Sequence, residues 1–443
     1  MGCAQSELKV VRSVDIQADG VERDAAGCTP TYTGHHASSA GDLDHAGSSQ
    51  LSNRFSHRRF HEEYVLHHKL GCGAFAAVYC CQPVEGDPQM LAAKVADLRT
   101  AGSKGSYDNA AIEVKRHRAM TREVRMLSMV QGNENVIKIA ESFVEGGLAY
   151  LVMEMCDRTL LQVLERTRVW TEDTIKPIFQ GMLKGLVWVH HCGVVHRDVK
   201  PDNFMCKGPT DTIKLCDFGL SCELTGSEGV VGINGTPPFM APEMLKSHRY
   251  GPKVDVWSFG VLGYTLVFGH FPYTPVEPNG PAMKAAILAG NPAPTFRQLH
   301  SSSRVPVAHQ GDRAPSQTCV RFLQDMLCRD PVRRPTSKDA LAYDFFRVVA
   351  CPEANPRDSL RPMLHMAKRC GAFDQPQAAK SEAKTEVDAR LRFLQESVRP
   401  TPCDVKPQVF SQNSEISTEV GSEGTRMMPT TSKNSKVTCE SRQ

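Results

Sequence analysis

The pattern of apolar and polar positions divides this chain into a patterned centre and two polar flanks. Residues 64–78 predict a strand, a Gly-rich turn and a second strand, and Leu91-Ala92-Ala93-Lys94 predicts the next strand. A polar connection over 97–109 leads into a helix expected over 110–130. Residues 136–143 and 149–153 predict a hairpin that turns across Glu145-Gly146-Gly147. Thr171-Glu172-Asp173-Thr174 is a helix start signal, and the helix it opens is expected to reach His191. Residues 205–206 and 212–216 read as two short strands joined by a Gly-Pro turn. The longest apolar stretch, 254–269, contains Asp255 and is too short to span a bilayer, so it reads as a buried core helix. A Pro/Ser-rich connection follows over 290–315, and the last core helix is expected to end at 347–349.

The flanks lack this order. Residues 1–63 are rich in Gly, Ser, His and Asp and read as a disordered tether. Residues 350–443, rich in Ser, Thr, Pro, Glu and Lys, read as a largely disordered tail. One helix is expected there over 381–398. It carries Val387, Leu391, Leu394 and Val398 on one face, with Thr385 and Asp388 as a candidate capping box. Whether it is free in solution or docked is open at this level. Residues 360–373 hold Lys368 and Arg369 among apolar residues, a faint calmodulin-target pattern broken by Pro362 and Gly371.

Composition narrows the function classes. A chain of 443 residues allows two or three domains, and 41% hydrophobic with 23% charged residues is ordinary for globular proteins. A net charge of +3 gives no argument for a nucleic-acid partner. Sixteen cysteines without a C-x-x-C pair read as reduced cytosolic thiols. No secretory signal is expected. The start, Met1-Gly2-Cys3-Ala4-Gln5-Ser6, fits the N-myristoylation pattern, with Gly2 as acceptor and Cys3 as a candidate palmitoylation site. One myristoyl chain binds membrane only marginally, and no basic patch follows, so Cys3 is the expected second signal for attachment to the cytosolic leaflet. His57, His61, His67 and His68 read as solvated histidines rather than metal ligands.

The chemistry concentrates in His196-Arg197-Asp198-Val199-Lys200-Pro201-Asp202-Asn203 and in Asp217-Phe218-Gly219. Phosphoryl transfer needs a carboxylate to orient the attacking hydroxyl, oxygen ligands for Mg²⁺ and cations against developing phosphate charge. Asp198, the pair Asn203 and Asp217, and Lys200 meet these needs in turn. In these two motifs the chain resembles the eukaryotic protein kinases. The resemblance implies an α+β, two-lobed fold, with a small mainly-β N-lobe carrying helix C and a larger mainly-helical C-lobe over about 64–349. It implies ATP and Mg²⁺ as cofactors and protein substrates with Ser or Thr.

It also assigns candidate nucleotide-site residues. Leu70-Gly71-Cys72-Gly73 opens the Gly-rich loop and Val78 follows it, with Ala76 where the family usually has a third Gly. Ala92 and Lys94 resemble the V-A-I-K strand, and Glu123, preferred over Glu113 because the apolar Met126 and Leu127 follow it, is the helix-C partner of Lys94. Met153 takes the gatekeeper position, and Glu154 to Cys156 form the hinge. Glu243 and Arg334 are expected to form a buried structural ion pair. Lys200 and Thr236 match serine/threonine rather than tyrosine kinases. Asp217-Phe218-Gly219-Leu220-Ser221 looks like the calcium/calmodulin-regulated and calcium-dependent kinases, although no EF-hand loop occurs. The position four before Thr236 is Gly232, which cannot carry a phosphate, so phosphate-independent activity is expected. Membrane recruitment and release of a flanking segment such as 381–398 are the candidate triggers. The rival reading is a membrane-anchored pseudokinase scaffold.

Overall fold

The computed structural model describes residues 55–72, 76–99, 107–168, 170–224, 226, 229–246, 248–277, 279–296, 315–347, 360–373, 388 and 390–395. Gly2, Cys3, Gly73, Thr385, Val387 and Val398 lie outside them.

A short helix α1 (Phe60–Glu63) leads into β1 (Tyr64–Cys72), β2 (Ala76–Pro83) and β3 (Leu91–Asp97). Helix α2 (Tyr107–Met129) then precedes the hairpin β4 (Ile139–Glu145) and β5 (Leu148–Glu154). The five strands form one antiparallel sheet in the order β1-β2-β3-β5-β4. Gly146 and Gly147 turn the hairpin with φ +58° and +77°, a conformation glycine takes without steric cost. Register sorts the side chains. Val78 faces Lys94 across β2–β3, and Ala92 faces Met153 across β3–β5. With the period of two, these four share the cleft face. The other face carries Ala77, Tyr79, Ala93, Val95, Tyr150 and Val152, all within one buried cluster.

Two flanking segments complete that cluster. Phe60 of α1 is fully buried and stacks on Tyr150 at 4.1 Å. Burying such a ring contributes about 1.5–3 kcal/mol. His61, expected in solvent, is instead buried, and its Nδ1 and backbone N–H meet Glu145 Oε2 at 2.9 and 3.1 Å. Its aromatic neighbours Phe60 and Tyr150 carry the side chain inward. From the tail, residues 390–395 form a helical turn that buries Leu391 in the same cluster. Leu391 and Leu394, the described members of the expected apolar face, therefore dock on the N-lobe.

The C-lobe is mainly helical. Strand β6 (Arg158–Thr159) and α3 (Leu160–Arg166) follow the hinge, then α4 (Glu172–His191) and β7 (Val194–Val195). Strands β8 (Phe204–Lys207) and β9 (Thr212–Leu215) pair as expected, and β10 (Cys222–Glu223) pairs with β7. Helix α5 (Pro242–Leu245) precedes α6 (Lys253–Phe268), in which residues 254–268 are buried and Asp255 is fully so. Gly269, at φ +79°, ends it in the left-handed conformation that commonly closes helices. Helices α7 (Gly280–Ala289), α8 (Gln317–Met326), α9 (Ser337–Ala340) and α10 (Asp344–Arg347) complete the lobe.

Beyond it, α11 (Arg361–Arg369) packs Met363, Leu364 and Ala367 inward, with Met366 and Met363 against Gly269. Pro362 lies in its first turn and Gly371, φ +82°, just beyond its end. The two residues that broke the pattern in sequence are the boundaries of this helix.

Candidate functional site

The site lies where β3, α2 and the loop after β7 converge. Lys94 Nζ meets Glu123 Oε1 at 2.5 Å and Asp217 Oδ1 at 2.9 Å. The salt bridge joins a strand, helix C and the Asp-Phe-Gly segment in one arrangement. Burial opposes the charge of Lys94, but Asp217 and Glu123 outweigh it and raise its pKa. Lys94 in turn holds the Asp217 carboxyl well below the usual carboxylate range. Burial pushes the Glu123 carboxyl up, against the pull of Lys94. Glu113, ten residues earlier on α2, stands about 15 Å along the helix from Glu123.

The loop 196–203 is shaped by one buried carboxylate. Asp255 accepts the backbone N–H groups of His196 at 2.9 Å and Arg197 at 2.8 Å, and faces His190 Nε2 at 2.9 Å. Burial works against its charge, yet the His190 hydrogen bond and the nearby His190 and His196 hold its pKa below the usual value. Arg197 sits at φ +66°, a conformation disfavoured for side-chain-bearing residues, and the two bonds to Asp255 anchor it there. The core helix α6 thus presents the loop.

Asp198 is held on both oxygens. Its Oδ1 accepts from Thr236 N–H at 2.9 Å and from Thr236 Oγ1 at 2.8 Å. Its Oδ2 faces Lys200 Nζ at 2.8 Å and Asn203 Nδ2 at 3.1 Å. Asn203 Nδ2 also donates to Asp198 O at 2.7 Å, which turns the amide oxygen away from Asp198. Cys216 N–H donates to Asn203 O at 2.9 Å, joining the loop to the segment that carries Asp217. Phe218 is buried against His196, with ring centroids 5.0 Å apart.

The hinge was read from sequence by position alone, and the structure adds what fixes it. Glu154, at the end of β5, has Oε1 on Lys214 Nζ and Lys138 N–H, both 2.8 Å, and Oε2 on Lys207 Nζ at 2.7 Å. Burial opposes its charge, but the bonds from Lys207 and Lys214 prevail and lower its pKa. Asp157 N–H then donates to Cys206 O at 3.0 Å. Sequence reasoning missed both lysines. Their signal was only their places on β8 and β9, two short strands that end at the hinge. Cys156 and Cys216 share a hydrogen bond that lowers the Cys156 thiol and, with burial, raises Cys216 well above its ordinary value. Cys216 is therefore the less nucleophilic thiol.

Of the other candidates, Leu70 is exposed on β1, and Gly71 has open space where a Cβ would stand. Val78, Ala92 and Met153 line the cleft face. Downstream, Glu243 and Arg334 form a bidentate pair at 2.6 and 3.1 Å, as expected. Arg197 Nε donates to Leu220 O at 2.7 Å, and Tyr250 ties the segment down through Gly232 O and Val230. A Cβ on Gly235 would stand 2.5 Å from Arg197 O, so this glycine permits the close approach of the activation segment to the loop.

Comparison with known proteins agrees with this architecture. The protein kinase domain model matches residues 64–346. The chain is 28% identical over 310 residues to a calcium/calmodulin-dependent protein kinase type 1 of Macrobrachium nipponense, covering 68% of this chain and 80% of that one. It is 29% identical over 290 residues to the calcium/calmodulin-dependent protein kinase type 1 of Caenorhabditis elegans, covering 64% and 74%. It is 30% identical over 291 residues to the CDPK-related kinase 1 of Arabidopsis thaliana, covering 65% of this chain and 46% of that longer protein. The chain belongs to the protein kinase family, as a serine/threonine kinase whose relatives include calcium/calmodulin-dependent and CDPK-related kinases.

Proposed function

We propose that this kinase is catalytically active, transfers the γ-phosphoryl group of Mg-ATP to Ser and Thr hydroxyls of protein substrates, and works at a membrane surface. The observation that carries the catalytic reading is the closed set Lys94–Glu123–Asp217 beside an Asp198 held on both oxygens. Asp198 orients the substrate hydroxyl and takes its proton. Lys200, 2.8 Å from Asp198, offsets charge on the transferred group. Lys94 holds the α- and β-phosphates, and Glu123 keeps Lys94 in place. The backbone of Glu154 to Cys156 receives the adenine edge, between Leu70, Val78 and Ala92 on one side and Met153 behind. Gly71 and Gly73 let the loop backbone approach the phosphates.

The donor set fits Mg²⁺, because the Asp217 carboxylate and the Asn203 amide oxygen are hard oxygen ligands. When bound, the ion neutralises charge between the phosphates. The rival scaffold reading lacks a motivating defect, since none of the six key side chains is replaced.

Full-length protein from bacteria, treated with phosphatase, is expected to phosphorylate Ser and Thr peptides and to spare Tyr peptides. Gly232 and the backbone contacts of Arg197 support activity without an activation-segment phosphate. Loss of transfer after phosphatase, restored by rephosphorylation, would overturn that part.

The membrane reading rests on Gly2 and Cys3 in sequence. Among the described residues no helix is long and apolar enough to cross a membrane. Gly2→Ala is expected to move the protein to the soluble fraction of a cell lysate and Cys3→Ser to weaken its attachment. Sedimentation of both variants with membranes would sink the lipid-anchor reading. Calmodulin-type regulation through 360–373 would require α11 to leave the C-lobe, because its apolar face is buried there.

A further inference from the structure

The tail docks far along the chain from the catalytic motifs, yet it touches the elements that hold the nucleotide lysine. Asp388 places Oδ1 and Oδ2 each 3.0 Å from Lys69 Nζ on β1, and it bonds the Tyr79 hydroxyl on β2. Lys69 Nζ also lies 5.4 Å from the Tyr79 ring centroid. Gln395 Nε2 donates to Leu66 O on β1 at 3.0 Å. Arg390 donates to Gly146 O in the β4–β5 turn, and its guanidinium lies 3.9 Å from Asp97 Oδ2 at the end of β3. Leu391 is buried in the cluster behind the sheet, and Leu394 lies against Gly146.

These contacts converge. Strands β1 and β2 carry the Gly-rich turn. Asp97 is three residues beyond Lys94 on β3, and its carbonyl accepts from Arg116 of α2 at 3.3 Å. The same helix carries Glu123. The tail covers the outer face of the sheet, while Lys94 and Asp217 lie on the cleft side. Among the described residues, the tail turn at 388 and 390–395 makes its contacts on that outer face, away from the nucleotide face and the Asp198 loop.

We propose that the tail turn around 388–395 is a positioning element for phosphotransfer, with Asp388, Arg390 and Leu391 acting through β1–β3 on Lys94 and Glu123. This rests on the phosphotransfer reading above. It reverses the expectation that release of this segment switches the kinase on: the docked tail supports activity, and detachment lowers it. The salt bridge of Asp388 with Lys69 ties the tail turn directly to β1. Fixing the strands costs conformational entropy, and in this chain a segment more than 300 residues away from Lys69 contributes the contacts that offset it.

The test is a charge swap in the full-length protein. Asp388→Lys sets two cations against each other and is expected to raise the KM for Mg-ATP about tenfold, with the KM for peptide unchanged. Lys69→Asp combined with Asp388→Lys is expected to restore the wild-type value. Leu391→Ala is a second, uncharged way to loosen the turn. For it, faster hydrogen exchange across β1–β3 and α2 is expected, with recovery on adding a free 381–398 peptide. An unchanged nucleotide KM in Asp388→Lys, or a gain of activity in either variant, would overturn the proposal. Affinity for Mg-ADP by calorimetry and the exchange pattern do not depend on turnover. If the wild type fails to transfer phosphate, the activity reading falls, and these two measurements still decide whether the tail positions the nucleotide lobe.

Discussion

Lys94→Met and Asp217→Ala are each expected to cut phosphotransfer by about 10²–10³-fold, the usual loss for one preorganised charge at a transferring group, while the fold persists. The two side chains share one contact, 2.9 Å long, and Lys94 also meets Glu123 at 2.5 Å. Removing the ammonium leaves two carboxylates facing each other. Glu123 is already raised by burial, so it resolves the repulsion by taking up a proton rather than by unfolding. Asp217→Ala instead frees Lys94 to pair with Glu123 alone and deletes the carboxylate proposed to hold Mg²⁺. Neither side chain belongs to the apolar core: Lys94 keeps 19% and Asp217 49% of its side-chain surface exposed. Turnover on a Ser/Thr peptide and thermal melting of each purified variant separate chemistry from stability. Near wild-type turnover in either variant would remove the role given to that residue.

The candidate site was legible in sequence where its residues are local. Asp198, Lys200 and Asn203 fall within six residues, and Asp217 follows on the strand pair that the Gly-Pro turn announced. The Lys94–Glu123 salt bridge needed the spacing of strand and helix, and the apolar pair Met126 and Leu127 singled out Glu123 over Glu113. The hinge lysines were not legible, because Lys207 and Lys214 meet Glu154 only through the β8–β9 fold. His61 was misread for the same reason: its partner Glu145 lies 84 residues away. In the tail, periodicity marked the docking face at Leu391 and Leu394, yet Asp388, read as a local cap, reaches across to Lys69. Residues whose partners are distant in sequence look like ordinary surface residues until the fold brings them together.

Truncating one side of the Glu243–Arg334 pair is expected to have the largest effect on stability. Arg334 has no exposed side-chain surface. It donates to both Glu243 oxygens, to Cys328 O and to Lys253 O, each at about 2.9 Å for the carbonyls, and its guanidinium lies 5.0 Å from the Trp257 ring centroid. Glu243→Ala leaves this cation buried without its counter-charge, which costs roughly 3–5 kcal/mol. For a domain of this size that lowers the melting temperature by roughly 10 °C. Activity is expected to fall too, below the melting range, because Glu243 closes the activation segment whose Thr236 donates to Asp198. Replacing both residues by Met removes the unpaired charge and is expected to recover part of the loss, since paired removal of a buried ion pair is tolerated better than single removal. Melting of Glu243→Ala within about 2 °C of wild type would mean that the pair carries little of the fold. A double variant less stable than Glu243→Ala would shift the weight to the carbonyls of Cys328 and Lys253, left without their donor, rather than to the unpaired guanidinium.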